Sequence, residues 1–258
     1  MVASDRPWLW IAERAKIDQS SFSDKQLGSL EAGADGWWYR TRNVVLDDAL
    51  KACGVSGALW DVGSGAGAVA AYFHRIGREV VAVEPGAGGA AVSAQLGVAS
   101  IQGTLDALAL PNHSLSAAGM FDVLEHLPDR SAMLREIKRV LAPGGHLILT
   151  LPALRMLWSG SDVAAGHYLR YSKRTIRREL VAAGFTVERS RYFFVLTVLP
   201  LLILRAMPHR FGRGPVIADE ELVAKDVGRV GQLASWCERM WARVGLTGSS
   251  LLVVARAN

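Results

Sequence analysis

An acidic residue followed by three glycines is the part of this sequence that most directly suggests chemistry. The segment Asp61–Gly67 reads Asp-Val-Gly-Ser-Gly-Ala-Gly, follows the apolar stretch 57–60 and precedes a helix-like run over 68–76. Glycine has no side chain, so its backbone can adopt left-handed conformations and approach a ligand closely. A second apolar strand, 79–83, ends in Glu84, whose carboxylate could accept hydrogen bonds from a ribose diol. Strand, glycine loop, helix, strand and acid together predict a βαβ unit that binds an adenosine-type cofactor.

Two classes of adenosine cofactor are compatible with glycines at these positions. The dinucleotide fingerprint is G-x-G-x-x-G; Gly63 and Gly65 match it, but Ala68 stands where its third glycine is required. The order Asp-x-Gly-x-Gly-x-Gly instead resembles motif I of the class I S-adenosylmethionine-dependent methyltransferases. This resemblance favours S-adenosylmethionine as the cofactor, and NAD remains the alternative.

Later segments extend the resemblance. Residues 103–108 would follow the third strand, where the family places its adenine-binding loop. Residues 117–121 read as a fourth strand, and the octet 122–129 looks like the segment after strand four in the type-11 and type-12 methyltransferase families. A helix over 132–141, with apolar residues at helical spacing, leads through Pro-Gly-Gly into a fifth strand at 146–151.

The resemblance covers residues 37–151 and, more loosely, the C-terminal third, and it implies the fold class. We expect an α/β protein with a Rossmann-like, seven-stranded, mostly parallel sheet, helices on both faces, and an antiparallel last strand between the fifth and the sixth. At 258 residues the chain has the usual size of one such domain. We expect one methyltransferase domain over 1–258, made of a helical N-terminal lid at 1–50, a cofactor-binding core at 57–151, and an acceptor-side insertion with the C-terminal strands at 152–258.

The resemblance also assigns cofactor contacts. Glu84 would bind the ribose hydroxyls and Asp61 would organise the loop near the methionine end. Thr104 stands where the family usually has an acid for the adenine amino group. The segment 37–42 resembles an aromatic-plus-arginine segment that folds over the cofactor, and Arg42 is preferred to Arg40 as the partner of the methionyl carboxylate. A packed aromatic helix is the alternative for this segment. The expected cofactor-binding residues are Asp61, Gly63, Ser64, Gly65, Gly67, Glu84, Pro85, Thr104, Leu105, Asp122, Val123, Trp38 and Arg42.

Asp122, Glu125 and His126 allow two interpretations. Their pattern, D-x-x-E-H, is similar to the E-x-x-E-H metal site of some ubiquinone-pathway and RNA 2′-O-methyltransferases, and on a helix the three side chains would share a face. A divalent metal there would bind an acceptor oxygen and lower its pKa. The same pattern is common in relatives that need no metal, in which the aspartate borders the sulfonium. We favour the interpretation without a metal.

The segment after strand five carries the residues that we expect to meet the acceptor. Residues 158–162 and 167–171 resemble the W-S-x-x-D…H-Y-x-R-Y stretch of type-11 and type-12 enzymes, which is often associated with glycan, lipid-linked or natural-product substrates. Ligands of open α/β sheets bind beyond the carboxyl ends of the strands, where this segment should lie. His167 is the first candidate for a general base, since imidazole titrates near neutral pH; a plain surface histidine is the alternative. The expected substrate-binding residues are Trp158, Asp162, His167, Arg170 and Tyr171, and the expected catalytic residues are His167, His126 and Asp122.

Composition narrows the class of partner. Half of the residues are hydrophobic and the net charge is +5, with the densest basic stretches at 173–178 and 205–213. A nucleic-acid surface would need such residues clustered with aromatic side chains, so no nucleic-acid partner is favoured. Two cysteines far apart suggest neither a metal cluster nor a disulfide framework, and the N-terminus lacks a signal peptide's apolar core. We therefore expect a cytoplasmic protein.

The longest apolar run, 193–204, has twelve residues and is too short to span a bilayer. We expect it to end the sixth strand and continue into a buried helix. The alternative is peripheral membrane contact by this run and by Trp8 and Trp10.

These features predict an enzyme that moves a methyl group from S-adenosylmethionine to an oxygen of a small-molecule, glycan or lipid-linked acceptor. Such an enzyme aligns the nucleophile, excludes water and removes a proton. The alternatives are a metal-dependent O-methyltransferase of the ubiquinone-pathway type, a non-catalytic cofactor-binding module and an NAD-linked enzyme. Neither the acceptor nor the oligomeric state follows from the sequence.

Overall fold

Nine strands form one mixed sheet in the part of the chain that the computed structural model describes, which is residues 2–3, 8–12, 36–212 and 228–258. The strands lie in the order β1-β2-β5-β4-β3-β6-β7-β9-β8. Strands β2 to β7 run parallel to one another. Strand β1 is antiparallel to β2, and β9 lies between β7 and β8 and is antiparallel to both. This arrangement confirms the expected mostly parallel sheet and its antiparallel last strand. The strands are β1 (Val2–Ala3), β2 (Leu9–Ile11), β3 (Leu59–Val62), β4 (Val80–Glu84), β5 (Ala99–Gln102), β6 (Leu115–Phe121), β7 (Leu141–Pro152), β8 (Phe185–Phe193) and β9 (Ser250–Ala257).

The N-terminal part differs from the helical segment expected at 1–50. Strands β1 and β2 extend the sheet beyond β5, so the described sheet has two strands more than the expected seven. Trp10 and Ile11 are residue types that favour strands, which the interpretation of this segment as an aromatic lid overlooked. A helix does form over Trp37–Ala52, while residues 13–35 lie outside the described part of the chain.

Helices cover both faces of the sheet. The α-helices are Trp37–Ala52, Ala68–Arg75, Ala87–Gln95, Arg130–Val140, Gly160–Ala164, Lys173–Ala182, Val198–Leu201, Met207–Arg210 and Gly228–Val244. A π-helical stretch, Leu202–Ala206, joins two of them, and short 3₁₀ turns occur at Asp106–Leu108, Leu124–His126 and Arg155–Leu157.

Two apolar cores lie on the two faces of the sheet, and β7 contributes to both. On one face the helix Arg130–Val140 packs in a cluster with Leu147. On the other, the helix Trp37–Ala52 packs in a cluster with Ile148, the next residue of the same strand. Successive side chains of a strand point to opposite faces, so a central parallel strand is apolar throughout. Burying one leucine or isoleucine in this way stabilises the fold by about 1.5–3 kcal/mol.

The apolar run 193–204 is only partly buried, which corrects the expectation of a buried helix. Phe193 and Phe194 are inside the protein, but the helical stretch that begins at Val198 exposes Leu199, Ile203 and Leu204. Among the described residues, no helix is both long and apolar enough to cross a bilayer.

The carboxyl ends of the parallel strands define the edge at which the candidate site forms. Residues 63–67 follow β3, residues 85–86 follow β4, residues 122–126 follow β6 and residues 153–172 follow β7. Parallel strands end on the same side of a sheet, so these four segments meet there.

Candidate active site

The glycine loop after β3 has a backbone conformation that glycine adopts readily and other residues do not. The φ angles of Gly63, Gly65 and Gly67 are 79°, 55° and 78°, which is the left-handed region. A Cβ on Gly63 would lie 2.8 Å from Val123 Cγ1, and a Cβ on Gly67 would overlap Ser93. Both the conformation and the close packing therefore require glycine in this loop.

Glu84, at the end of β4, is bonded directly to the glycine loop. Its Oε2 accepts a hydrogen bond from Gly65 N at 2.8 Å, and its Oε1 accepts one from Gly86 N at 2.8 Å. The side chain is buried. The structure thus brings Glu84, the residue expected to bind the ribose, and the glycine loop together at the carboxyl edge of the sheet.

Asp61 is a buried carboxylate beside this loop, and neither of its oxygens has a hydrogen-bond partner among the described residues. Burial raises the pKa of Asp61 to about 7, although the Arg42 guanidinium lowers it. The Ser64 hydroxyl is likewise buried and without a partner there. Unpartnered buried polar groups are costly, so a site with two of them suits a ligand that brings hydrogen-bond donors, such as the amino group of S-adenosylmethionine.

Arg42 lies inside the protein, whereas Arg40 is exposed. Arg42 Nη1 donates to Asp122 Oδ2 at 2.8 Å, and the Arg42 guanidinium lies 4.5 Å from the centre of the Trp38 ring. Trp38 in turn stacks on Phe194, with ring centroids 5.3 Å apart. The segment 37–42 is therefore a packed aromatic helix that also presents a buried arginine toward the end of β6.

Asp122 and the residues after it do not form the helix that was expected to place three ligands on one face. Asp122 has a φ of 59°, and only Leu124–His126 forms a 3₁₀ turn. The Asp122 side chain turns toward Arg42 and also accepts from Thr150 Oγ1 at 3.1 Å. Thr150 is a partner that the sequence reasoning did not identify, since only the parallel pairing of β6 and β7 brings it beside Asp122.

Asp162 contacts three other residues of the segment that follows β7. It is buried; its Oδ1 lies 3.0 Å from His167 Nδ1 and accepts from Arg170 Nε at 2.7 Å. Its Oδ2 accepts from Ser159 N at 2.9 Å. Burial would raise the pKa of Asp162, but the bonds from His167, Arg170 and Ser159 outweigh it and lower the pKa. The carboxylate therefore stays ionised and holds the imidazole by Nδ1.

His167 lies beside Glu125 and His126. One ligand atom from each of the three residues lies within 4.8 Å of the others, and the two imidazole rings are 4.6 Å apart in an edge-to-face arrangement. Glu125 is buried and its two oxygens have no partner among the described residues. Burial, together with Asp122, raises the pKa of Glu125; burial, together with His167, lowers that of His126. The structure therefore groups His167, rather than Asp122, with Glu125 and His126.

Five other expected site residues are either half-buried or packed in the apolar core. Pro85 and Thr104 are half-buried at the ends of β4 and β5, and Trp158 is half-buried after a 3₁₀ turn. Leu105 is buried in an apolar core. Tyr171 is also fully buried in that core, and its hydroxyl donates to Glu179 Oε2 at 3.3 Å. These contacts give Tyr171 a packing role, and no described contact links its hydroxyl to the Asp162 group.

A second group of side chains of the metal-ligand types lies away from this edge. Cys53, His146 and Glu188 each have a ligand atom within 4.8 Å of the others, and His146 Nε2 lies 3.4 Å from Glu188 Oε2. His146 precedes the buried part of β7, so this group is at the opposite end of the strands from the glycine loop. Cysteine spacing alone could not indicate it, since the other two side chains come from distant strands.

Comparisons with known proteins agree with this geometry. A family model described as a methyltransferase domain, Methyltransf_11, matches residues 60–149. The chain is similar to the ubiquinone biosynthesis O-methyltransferase of Xanthomonas oryzae pv. oryzae, with 29% identity over 147 residues, which are 50% of this chain and 62% of the relative. It is also similar to a probable S-adenosylmethionine-dependent methyltransferase of Mycolicibacterium smegmatis, with 29% identity over 158 residues, 60% of this chain and 61% of the relative. The matched region thus spans less than two thirds of these relatives.

Solved structures share the fold at low sequence identity. A Haloferax volcanii methyltransferase, solved in complex with the activator Trm112, superposes with a TM-score of 0.58 at 17% identity, covering 91% of this chain and 94% of that one. This similarity extends the shared fold well beyond residues 60–149.

Proposed function

The chain belongs to the class I S-adenosylmethionine-dependent methyltransferases, Methyltransf_11 family, and on that premise we propose that it methylates an oxygen of a small-molecule, glycan or lipid-linked acceptor. The observation that carries the proposal is the Asp162–His167 pair at the carboxyl edge of the sheet. Transfer to a hydroxyl oxygen requires loss of a proton, and this pair offers an oriented base. The name of the Xanthomonas relative, an O-methyltransferase, supports oxygen as the acceptor atom.

Three parts of the chain fit the cofactor. Gly63 and Gly67 give the loop its close packing, Glu84 would bind the ribose, and Asp61 would accept a hydrogen bond from the amino group. When bound, S-adenosylmethionine supplies a methyl group activated by a positively charged sulfur. Arg42 and Asp122 form an ion pair next to the loop. We assign to this ion pair the role of holding the helix Trp37–Ala52 over the site and of excluding water from the site.

His167 would act as the general base. In the neutral imidazole, a hydrogen bond to the ionised Asp162 places the proton on Nδ1, so Nε2 has the lone pair and can accept a proton from an acceptor hydroxyl. Arg170 and Ser159 keep Asp162 ionised and fixed, which in turn stabilises the imidazolium formed after proton transfer. The hydroxyl oxygen, once deprotonated, is the nucleophile in an in-line displacement.

The substitution His167→Asn tests this assignment. With a panel of hydroxylated acceptors, turnover measured as release of S-adenosylhomocysteine should fall by about 10²–10⁴-fold, while calorimetric affinity for S-adenosylhomocysteine stays unchanged. His74→Asn is the matched control, since His74 is exposed on the helix Ala68–Arg75. Equal turnover in the two variants would remove His167 from the mechanism. Cofactor binding without turnover on any acceptor would instead favour a non-catalytic binding module.

A second candidate function is metal-dependent O-methylation, favoured by the grouping of Glu125, His126 and His167. The buried Glu125 carboxylate without a partner would gain one in a divalent cation. Such a cation would bind the acceptor oxygen and lower its pKa, with His167 as a ligand instead of a base. Turnover before and after exhaustive chelation separates the two candidates: survival supports the base, whereas loss that is restored by magnesium, manganese or zinc supports the metal.

A further inference from the structure

Exposed large apolar side chains are concentrated in two segments of this protein. Of the eighteen such residues in the described chain, eleven lie within 196–211 or 233–246. Soluble proteins expose apolar residues singly, and a concentration of them marks a contact surface. Six belong to the first segment, and we call them the apolar ridge: Leu196, Leu199, Ile203, Leu204, Met207 and Phe211.

The apolar ridge is one face of a helical stretch. Leu199, Ile203, Met207 and Phe211 recur every four residues through the turns that run from Val198 to Arg210. Each ridge side chain is between 43% and 72% exposed, whereas Arg205 and Ala206 on the inner side are buried. The stretch is therefore amphipathic, and its outer side is the apolar one.

Among the described residues of the stretch 195–212, the exposed ionisable side chains are all basic. Residues 195–212 contain no aspartate or glutamate, and the exposed ionisable side chains among them are His209 and Arg210. Arg155 is exposed in the neighbouring turn, where Arg210 Nη2 donates to Met156 O at 3.0 Å. Cations beside an apolar surface complement an anionic lipid headgroup layer. The same cations would repel each other if the ridges of two copies met.

The inner side of the stretch lies against the candidate acceptor loop. The turns 202–206 pack on the 3₁₀ turn Arg155–Leu157 and on the helix Gly160–Ala164. Arg205 is close enough to Asp162 for the carboxylate to influence the pKa of the guanidinium, which burial lowers. A ligand that enters from the ridge side would thus meet the loop that holds His167.

We propose that the apolar ridge docks this protein on an anionic lipid membrane and that its acceptor is a lipid with a hydroxyl in the headgroup region. The second part rests on the proposed methyl transfer, whereas the first does not. No described helix is long and apolar enough to cross the bilayer, so the stretch from Val198 to Arg210 would lie in the interface, parallel to the membrane.

Vesicle co-sedimentation of the full chain tests the docking. With phosphatidylglycerol vesicles the wild-type protein should pellet, less so at high salt, and with phosphatidylcholine vesicles it should stay mostly in solution. The double variant Leu199→Ser, Phe211→Ser should bind phosphatidylglycerol vesicles at least tenfold more weakly. The control Leu96→Ser, Val181→Ser changes side chains that are 47% and 56% exposed outside both segments, and it should bind like the wild type.

Three results would overturn the docking: no pelleting of the wild type with anionic vesicles, equal binding by the two double variants, or a wild-type dimer in sedimentation velocity that the ridge variant dissociates. Calorimetry with S-adenosylhomocysteine runs alongside, because a ridge variant that is folded keeps its cofactor affinity. Vesicle binding with no methylation of any hydroxylated lipid would overturn the lipid acceptor alone. If neither the wild type nor any variant binds S-adenosylhomocysteine, the proposed function is refuted and the docking result stands.

Discussion

Replacing Asp61 by asparagine should stabilise the cofactor-free protein at high pH relative to low pH. Asp61 is buried without a partner among the described residues, and its pKa rises from 3.8 to about 7. An acid whose pKa is raised on folding binds more protons in the folded state, so its contribution to stability falls as the pH rises from about 4 to about 7. At 1.36 kcal/mol per pKa unit, the full penalty is on the order of 4 kcal/mol. Between pH 5 and pH 8.5 the part that develops is about 2–3 kcal/mol.

Urea unfolding of the wild type and of Asp61→Asn at both pH values measures this difference. The asparagine amide also lacks a partner, but that cost does not depend on pH, and the other titrating groups cancel between the two proteins. The free energy of unfolding of the variant, relative to wild type, should therefore rise by about 2–3 kcal/mol from pH 5 to pH 8.5. Asp106→Asn, at an exposed acid, should show no such rise. A difference between wild type and Asp61→Asn that does not change with pH would mean that Asp61 is ionised and satisfied in the folded protein.

Three further substitutions or treatments have expected outcomes. Gly67→Ala should lower the free energy of unfolding by about 2–4 kcal/mol, because the alanine Cβ would overlap Ser93. In the control Gly77→Ala, φ is 81° and no atom lies within 4 Å of the new Cβ, so the loss should be only about 1–2 kcal/mol. Equal losses in thermal or urea unfolding would contradict the packing argument. Glu238→Gln should cost about 1–3 kcal/mol, because the buried Glu238 carboxylate accepts hydrogen bonds from the backbone N–H groups of residues 195 and 196 at 2.9 Å and 2.7 Å; unchanged stability would show that this contact is dispensable. Exhaustive chelation should leave turnover intact if His167 is the base, and an activity that returns only with added divalent metal would reverse the assignment.

The sheet and the glycine loop could be predicted from sequence because local patterns determine them. Apolar strands and a helix stop signal at Pro143–Gly145 gave the order of elements, and the helix expected at 132–141 is observed at Arg130–Val140, where Asp129 accepts from Ala132 N as the N-cap. In strand β2 the only signal was residue type, since Trp10 and Ile11 favour strands but three residues are too few for a periodic pattern.

The polar contacts of the site were harder to predict, because they depend on which strands and loops become neighbours. The register of β6 and β7 places Thr150 against Asp122, which turns Asp122 away from the metal-binding set proposed from its spacing. Asp162 and His167 were both expected among the substrate-binding residues, but their 3.0 Å contact depends on the short helix Gly160–Ala164. The exposure of the apolar ridge was not predicted either, because a run of apolar residues in a sequence is typical of a buried segment.

Titration calorimetry with S-adenosylhomocysteine and with NAD, on the wild type and on Glu84→Ala, tests the proposed cofactor site most directly. S-adenosylhomocysteine should bind the wild type saturably and NAD should not. Loss of the Glu84 carboxylate, which is tied to the glycine loop through Gly65 N, should weaken that binding by about 1–3 kcal/mol in a variant that remains folded. Saturable binding of NAD, or an affinity for S-adenosylhomocysteine that Glu84→Ala leaves unchanged, would contradict the assignment of this edge of the sheet to S-adenosylmethionine.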